Sequence, residues 1–307
     1  MNTIVVLGTG GTIAGVAHHA ADNVGYAAGQ LSVEALVAAV PALAPERLEC
    51  EQVAQLDSKD MDHATWQRLA LRVAFHLDRP DVAGIVVTHG TDTLEETAIF
   101  LQRVLAPAKP VVLTAAMRPA TSLQADGPQN LLDAVRVARV DGARGVLAML
   151  AGQVHAADDV RKVHSYRLDA FGSGDAGALA LVEEGVVRRL RAWPDAGARA
   201  LDAIKRPLEQ WPRVEIITSH AGADGAQVRA AVAQGVAGIV VAGTGNGALH
   251  VAIESALMDA VTTGIRVVRV TRCASGPVIG GDARWPGAGS LSAAKARVAL
   301  MLDLMGS

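Results

Sequence analysis

The stretch Ile4-Val5-Val6-Leu7-Gly8-Thr9-Gly10-Gly11-Thr12-Ile13-Ala14-Gly15 decides the fold, because an apolar run leads directly into a glycine-rich turn. A short apolar run without polar alternation is typical of a strand that is covered on both faces. Glycines after such a strand allow the backbone to approach a ligand closely. The turn presents a hydroxyl, Thr12, at the carboxyl end of the strand, where ligands bind in open α/β sheets. We therefore predict an α/β fold with a ligand site after the first strand.

Two alternatives for this turn are a dinucleotide-binding loop and a tight turn without function. The dinucleotide loop fails on spacing, because Gly8-x-Gly10 is followed by Ile13 where the third glycine belongs. A nucleotide-binding or regulatory protein is also disfavoured by the lack of a GK[ST] loop. The lack of a GxSxG motif argues in the same way against a serine hydrolase.

Apolar strand patterns alternate with helical patterns along most of the chain. Further strands are expected at 85–87, 111–113, 146–148, 214–217, 239–241 and 267–270. Helices are expected at 63–77, 93–105 and 127–140, and a last helix from the N-cap Ser292 to Leu304. Strand–helix alternation predicts a doubly wound, mostly parallel sheet.

Residues 188–212 interrupt this alternation. They contain Pro194, Pro207 and Pro212 and no strand signal, which is typical of a linker. A chain of 307 residues is also long enough for two domains. We therefore predict a large N-terminal α/β domain at 1–187, a linker at 188–212 and a smaller C-terminal α/β domain at 213–307.

Composition excludes several classes of protein. The net charge of −3 offers no basic excess for nucleic acid. Cys50 and Cys273 lie outside any CxxC pattern, so a disulfide framework or a zinc site is not expected. No apolar run reaches the length of a membrane span. The chain opens on a strand without a secretion signal, which predicts a cytoplasmic protein, or a periplasmic one if a leader has been removed.

A second polar motif, Thr88-His89-Gly90-Thr91-Asp92-Thr93-Leu94-Glu95-Glu96-Thr97-Ala98, also follows an apolar strand and leads into a helix. Its hydroxyls and carboxylate would lie near a helix N-terminus, which favours anions. An N-cap role for Asp92 or Thr93 explains Asp92-Thr93 well but Gly90-Thr91 poorly. His89 taken alone is more typical of a buried, hydrogen-bonded histidine than of a catalyst.

Together these two motifs resemble those of the bacterial L-asparaginase family, the asparaginases and glutaminase-asparaginases, and the resemblance covers essentially the whole chain. Four further segments are similar: Ala116–Pro119, Ala125–Pro128, Ala242–Gly247 and Lys295–Val298. The resemblance implies hydrolysis of L-asparagine to L-aspartate and ammonia through an acyl-enzyme, without metal or cofactor. It also implies a homotetramer built from intimate dimers.

The resemblance further implies a role for each matching residue. Thr12 would be the nucleophile, Tyr26 would orient it from a mobile lid, and Thr91 with Lys162 would form a second hydroxyl–amine pair. Asp92 would be catalytic as well and would bind the α-ammonium of the substrate. The other residues that would bind substrate are Ser58 for the α-carboxylate, Thr91, Ala116 in the amide pocket, and Asn246, which would reach into the site of the neighbouring subunit.

Some of these assignments leave alternatives open. Arg161-Lys162 on spacing alone is an ordinary surface pair, and Lys162 could be a base, a proton shuttle or an orienting group. Lys59 stands where the family often has glutamine or glutamate. The segment Cys273–Asp282 lacks a glutamate that many members have, for which Asp282 could substitute. The preferred substrate could therefore also be glutamine, a D-amino acid amide or a peptide-linked amide.

Overall fold

The computed structural model describes residues 2–197, 200–280 and 284–306. The chain divides into two compact units, Met1–Leu201 and Asp202–Ser307, which we call the large unit and the small unit. In the described part of the chain, no helix is both long enough and apolar enough to cross a membrane.

In its described residues, the large unit contains twelve strands and four α-helices. The strands are β1 (Thr3–Gly10), β2 (Val16–Ala17), β3 (Tyr26–Ala27), β4 (Leu48–Leu56), β5 (Val82–Thr88), β6 (Pro110–Thr114), β7 (Gly145–Leu150), β8 (Gln153–Ala156), β9 (Arg161–Lys162), β10 (Phe171–Gly172), β11 (Ala180–Glu183) and β12 (Val186–Arg189). The helices are α1 (Val33–Ala38), α2 (His63–Leu77), α3 (Leu94–Leu105) and α4 (Gly127–Ala138), and a short helix α5 (Leu201–Ile204) follows at the boundary.

Eight of these strands form one sheet in the order β12-β11-β8-β7-β6-β5-β1-β4. The adjacent pairs β4-β1, β1-β5, β5-β6 and β6-β7 are parallel. The pairs β7-β8, β8-β11 and β11-β12 are antiparallel. The mostly parallel sheet and the expected strands and helices of this unit are confirmed. The sequence patterns did not show β4. It is an edge strand whose residues are mostly half-buried, so Glu49 and Glu51 alternate with apolar residues and no apolar run forms.

The small unit contains a parallel sheet in the order β13-β14-β15, formed by β13 (Val214–Thr218), β14 (Gly238–Gly243) and β15 (Arg266–Thr271). Its helices are α6 (Ala226–Ala233), α7 (Val251–Thr262) and α8 (Ala293–Leu304). Ser292 caps α8 as expected, because its hydroxyl accepts a hydrogen bond from the Lys295 amide. The smaller C-terminal α/β unit is therefore confirmed as well.

The position of β1 beside β5 determines where the two motifs lie. Gly8 pairs in parallel register with Thr88, so both strands end at the same edge of the sheet. Their apolar runs are fully buried, as Val6 and Val86 illustrate, and this anchors the two ends. The glycine-rich turn and the second motif therefore emerge side by side, although they lie far apart in the chain.

The division into 1–187, 188–212 and 213–307 stays a prediction. Backbone at 195–197 is exposed and irregular, although the nearby Trp193 is buried. We expect the first cut by a broad-specificity protease to fall within 188–212 or near residues 16–30, because proteases need exposed, extended backbone. Mass spectrometry of the first fragments checks this. A first cut elsewhere among the first 180 residues would contradict the proposed division.

Candidate active site

The turn that carries Thr12 is packed against the second motif backbone to backbone at Gly11. Gly11 has φ 80°, a conformation that suits glycine. A Cβ placed on Gly11 would lie 2.3 Å from the Cα of Gly90, so a side chain does not fit there. The two motif loops are therefore in direct contact. Thr12 begins a short 3-10 turn immediately afterwards and is only 8% exposed.

Tyr26 is the hydrogen-bond partner of Thr12. The Thr12 Oγ1 and the Tyr26 Oη are 2.6 Å apart, and either oxygen can be the donor. Tyr26 lies in a hairpin in which β3 pairs with β2, within the segment 16–30 that we call the lid. The lid is tied to residues 121–123 by hydrogen bonds, among them Leu123 N to Ala20 O at 3.0 Å and Ala17 N to the Thr121 Oγ1 at 2.9 Å. The structure therefore brings together the first predicted pair.

The second predicted pair is also assembled. The Lys162 Nζ donates hydrogen bonds to the Thr91 Oγ1 at 2.9 Å and to the Asp92 Oδ1 at 2.6 Å. Thr91 is buried, whereas the Asp92 side chain is 53% exposed and therefore open to a ligand. Lys162 reaches these residues from β9, so it is not an ordinary surface residue. The geometry supports the grouping of these three residues, and their chemical roles stay predictions.

Ser58 joins the site from a third strand end. It follows β4 and is 2% exposed, and its Oγ accepts a hydrogen bond from the Asp92 amide at 3.2 Å. The Thr93 hydroxyl in turn donates to the Ser58 carbonyl at 2.8 Å. The neighbouring Lys59 extends away into solvent with a 62% exposed side chain and is bonded to Asp57 at 2.6 Å. Ser58 therefore belongs to the cluster by contact.

The other two predicted binding residues are placed differently. Ala116 is fully buried in the same core cluster as Ile13, the residue after Thr12. Asn246 lies in the small unit, in the loop after β14, where its side-chain amide makes two hydrogen bonds of 2.7 Å to the backbone of Ile279. The suggested substitute for the missing glutamate, Asp282, lies outside the described residues.

A buried histidine supports the second motif from behind. The His89 Nδ1 donates to the Gly90 carbonyl at 2.7 Å, and its Nε2 lies 2.9 Å from the Thr97 Oγ1. Thr97 also accepts a hydrogen bond from the indole of Trp66 at 2.8 Å. Burial lowers the pKa of His89 to about 4, so the ring is neutral at physiological pH and Thr97 donates to its Nε2. This network holds the Gly90 carbonyl beside Thr91 and confirms the expectation of a buried, hydrogen-bonded histidine.

One positioning contact was not foreseen from the sequence. Arg118 is 6% exposed, its guanidinium lies 4.1 Å from the centre of the Tyr166 ring, and it donates to the Tyr166 carbonyl at 2.8 Å. Tyr166 belongs to the loop that follows Lys162, so Arg118 ties that loop to the segment that contains Ala116. The only sequence signal for Arg118 was its place in the motif Ala116–Pro119.

The chemistry available at this sheet edge is that of hydroxyls, a phenol, an amine and a carboxylate. Within the described ranges, no group of three or more His, Cys, Asp or Glu side chains is placed to hold a metal ion. Two buried hydroxyls, each hydrogen-bonded to a group able to accept or donate a proton, suit acyl transfer through a covalent intermediate. The half-exposed carboxylate beside them suits recognition of a cationic group.

Comparisons with known proteins cover nearly the whole chain. The family model described as "Asparaginase, N-terminal" matches residues 3–194, and the one described as "Glutaminase/Asparaginase C-terminal domain" matches residues 213–306. L-asparaginase 2 of Escherichia coli is 38% identical over 98% of this chain and 88% of its own length. The glutaminase-asparaginase of Pseudomonas fluorescens is 35% identical over 98% and 86%. The crystal structure of a probable cytoplasmic L-asparaginase from Campylobacter jejuni matches with a TM-score of 0.92 at 37% identity, and covers 100% of this chain and 96% of that one.

Proposed function

Because the chain belongs to the asparaginase family, we propose that it hydrolyses the side-chain amide of L-asparagine to L-aspartate and ammonia. The observation that carries this proposal is the pairing of two buried hydroxyls, Thr12 with Tyr26 and Thr91 with Lys162, at one sheet edge. A nucleophile with a proton acceptor and a second hydroxyl with a proton donor are what two-step amide hydrolysis needs.

In the proposed acylation step, the Thr12 Oγ1 attacks the amide carbon and its proton passes to the Tyr26 oxygen 2.6 Å away, while the Tyr26 hydrogen passes to water. The Thr91 oxygen accepts a hydrogen bond from Lys162, so the Thr91 hydrogen is available to the leaving nitrogen. The C–N bond breaks, the nitrogen takes the Thr91 hydrogen, Lys162 replaces that hydrogen from its ammonium group, and ammonia leaves as an ester forms at Thr12. Water then attacks the ester carbon. One of its hydrogens returns to Lys162 through Thr91, the other restores the Thr12 hydroxyl, and the carboxylate is released.

Substrate orientation follows from the charges around these hydroxyls. The exposed part of the Asp92 carboxylate would hold the α-ammonium of the substrate. The Ser58 Oγ accepts from the Asp92 amide, so its own hydrogen can be donated to the α-carboxylate. Asp92 and Ser58 would therefore fix the two ends of the amino acid head group, and the side-chain amide would be directed toward Thr12.

The function is tested by ammonia release from L-asparagine, L-glutamine, D-asparagine and a peptide-linked asparagine. We expect kcat/KM for L-asparagine to exceed that for L-glutamine by roughly 10- to 200-fold, the usual discrimination of one methylene in a shaped pocket. The name of the Pseudomonas fluorescens relative supports glutamine as the alternative. Equal values for both amides would contradict the selectivity, and release from none of them would contradict the function.

Lys59→Gln is the matched variant for this comparison. Because Lys59 is exposed and paired with Asp57, we expect the variant to change neither kcat/KM value by more than about twofold. A change in the asparagine-to-glutamine ratio would instead show that Lys59 contributes to recognition.

We also propose a homotetramer made of two dimers in which Asn246 completes the site of the neighbouring subunit. If so, Thr12→Ala and Asn246→Ala chains are each inactive alone, but a hybrid dimer contains one intact site. Random pairing then restores roughly a quarter of the wild-type activity on co-expression. Sedimentation of the mixture reports the assembly. A fully active monomer, or no restored activity in purified hybrids, would contradict the shared site.

We infer the cellular location of the protein from one of these relatives. The relative from Campylobacter jejuni is named as cytoplasmic, and we infer the same location here. Activity found in the periplasmic fraction of a producing cell would contradict it.

A further inference from the structure

Lys162 depends on contacts outside its own strand for a fixed position. It lies on β9, a strand of only two residues whose partner is the equally short β10. The following loop is largely exposed, as Val163 at 55% illustrates. A lysine side chain is long and flexible, so an amine that must meet one hydroxyl needs an anchored backbone. The short strand pair alone offers little of that anchoring.

Glu95 supplies an anchor. Its Oε2 accepts a hydrogen bond from the Lys162 backbone amide at 3.2 Å. Glu95 lies in the first turn of α3, which the fully buried Leu94 fixes in the core. The loop that leads into the same helix carries Thr91 and Asp92, the two acceptors of the Lys162 amine. Lys162 is therefore held at its backbone and at its Nζ by one short stretch of chain.

We propose that Glu95 is a positioning residue for the Lys162 amine, and this proposal rests on the proposed function. Glu95 acts through the Lys162 backbone and does not touch the substrate. Its loss would let Lys162 shift, and the hydrogen bond that orients the Thr91 hydroxyl would weaken. Asp92 and Ser58 would remain in place for the substrate head group. The expected signature is a lower kcat with little change in KM.

The test compares Glu95→Ala with Glu95→Gln, whose amide oxygen can still accept the Lys162 amide hydrogen. We expect kcat for L-asparagine to fall about tenfold in Glu95→Ala, the effect of losing one hydrogen bond to a charged group, and to recover largely in Glu95→Gln. Glu34→Ala is the control for loss of a first-turn carboxylate, because Glu34 holds the equivalent place in α1. It should leave kcat unchanged.

A second measurement does not depend on activity. Modification of lysines by an acetylating reagent, followed by mass spectrometry, reports how well each amine is held. We expect Lys162 to react several-fold faster in Glu95→Ala than in the wild type or in Glu95→Gln. Lys109, whose amine donates to the carbonyls of Leu77 and Arg79, should react at one rate throughout and serves as the internal reference.

The outcomes separate this proposal from the proposed function. Unchanged kcat and unchanged Lys162 labelling in Glu95→Ala would overturn the positioning role. Equal loss in Glu95→Gln and Glu95→Ala, with faster labelling of Lys109 as well, would also overturn it, because the effect would then be general destabilisation. Faster labelling of Lys162 in Glu95→Ala alone supports the positioning role, whether or not the wild type hydrolyses asparagine. Absence of asparagine hydrolysis by the wild type would contradict only the proposed function.

Discussion

We expect Thr12→Ala to lower kcat for L-asparagine by at least about 10³-fold, while binding of the substrate remains measurable by calorimetry. The variant removes the Oγ1 that lies 2.6 Å from the Tyr26 oxygen, so neither the proposed attack nor the proposed proton transfer can take place. The contacts expected for the head group, Asp92 and Ser58, are untouched. Steady-state kinetics measure the loss, and mass spectrometry of acid-quenched wild-type enzyme should find an acyl adduct on the peptide that contains Thr12.

Thr9→Val is the matched control for this experiment. Thr9 lies in the same motif and its hydroxyl donates to the Thr88 carbonyl at 2.9 Å, away from Tyr26. Its replacement should cost about 1 kcal/mol of stability through the lost hydrogen bond and leave kcat within a few-fold. An adduct on Thr91 would reverse the two roles, and robust turnover by Thr12→Ala would exclude the proposed mechanism.

The second large effect is expected for Thr91→Val, which keeps the shape of the residue and removes its hydroxyl. We expect a loss of kcat comparable to that of Thr12→Ala, because no group remains to pass a proton between Lys162 and the leaving nitrogen. Lys162→Met should be similarly severe. Because the two residues would act as one unit, the double variant should be little worse than either single variant. Additive losses in the double variant would contradict a shared role.

Thr88→Val provides a control within the same motif. The Thr88 hydroxyl is buried and, among the described residues, has no hydrogen-bond partner, so its removal should leave both activity and stability nearly unchanged. A large loss of kcat in Thr88→Val would show that the motif responds to any change of packing. The Thr91 result could then not be assigned to its hydroxyl.

The sequence predicted the sheet better than it predicted the site. Buried parallel strands such as β1 and β5 are recognisable because both faces are covered and the run is uniformly apolar. The edge strand β4 shows no such run, so Ser58, which follows it, was found through the family resemblance and not through periodicity. The pattern also places Thr12 and Thr91 at strand ends, and parallel pairing brings those ends together.

The partners of these hydroxyls depend on tertiary contacts that local patterns do not encode. The Lys162 Nζ is hydrogen-bonded to Thr91, although 71 positions of sequence separate the two residues. By spacing alone, Lys162 would be assigned to a surface pair with Arg161. Glu95 has the signature of an acidic residue that complements a helix dipole, and its hydrogen bond to the Lys162 amide becomes visible only when β9 is placed beside α3. Residues that position others are therefore the part of the site most easily missed.

The contact between Gly11 and Gly90 limits how the site could be redesigned. Along that direction the two motif loops touch backbone to backbone, so no exchange of side chains can bring them closer, and any added side chain pushes them apart. The lid is different, because side chains help to hold it, for example the Ser122 hydroxyl bonded to the Asn23 side chain at 2.6 Å. Engineering for a longer or bulkier amide should therefore begin with the residues that fasten the lid, while the glycine contact is kept.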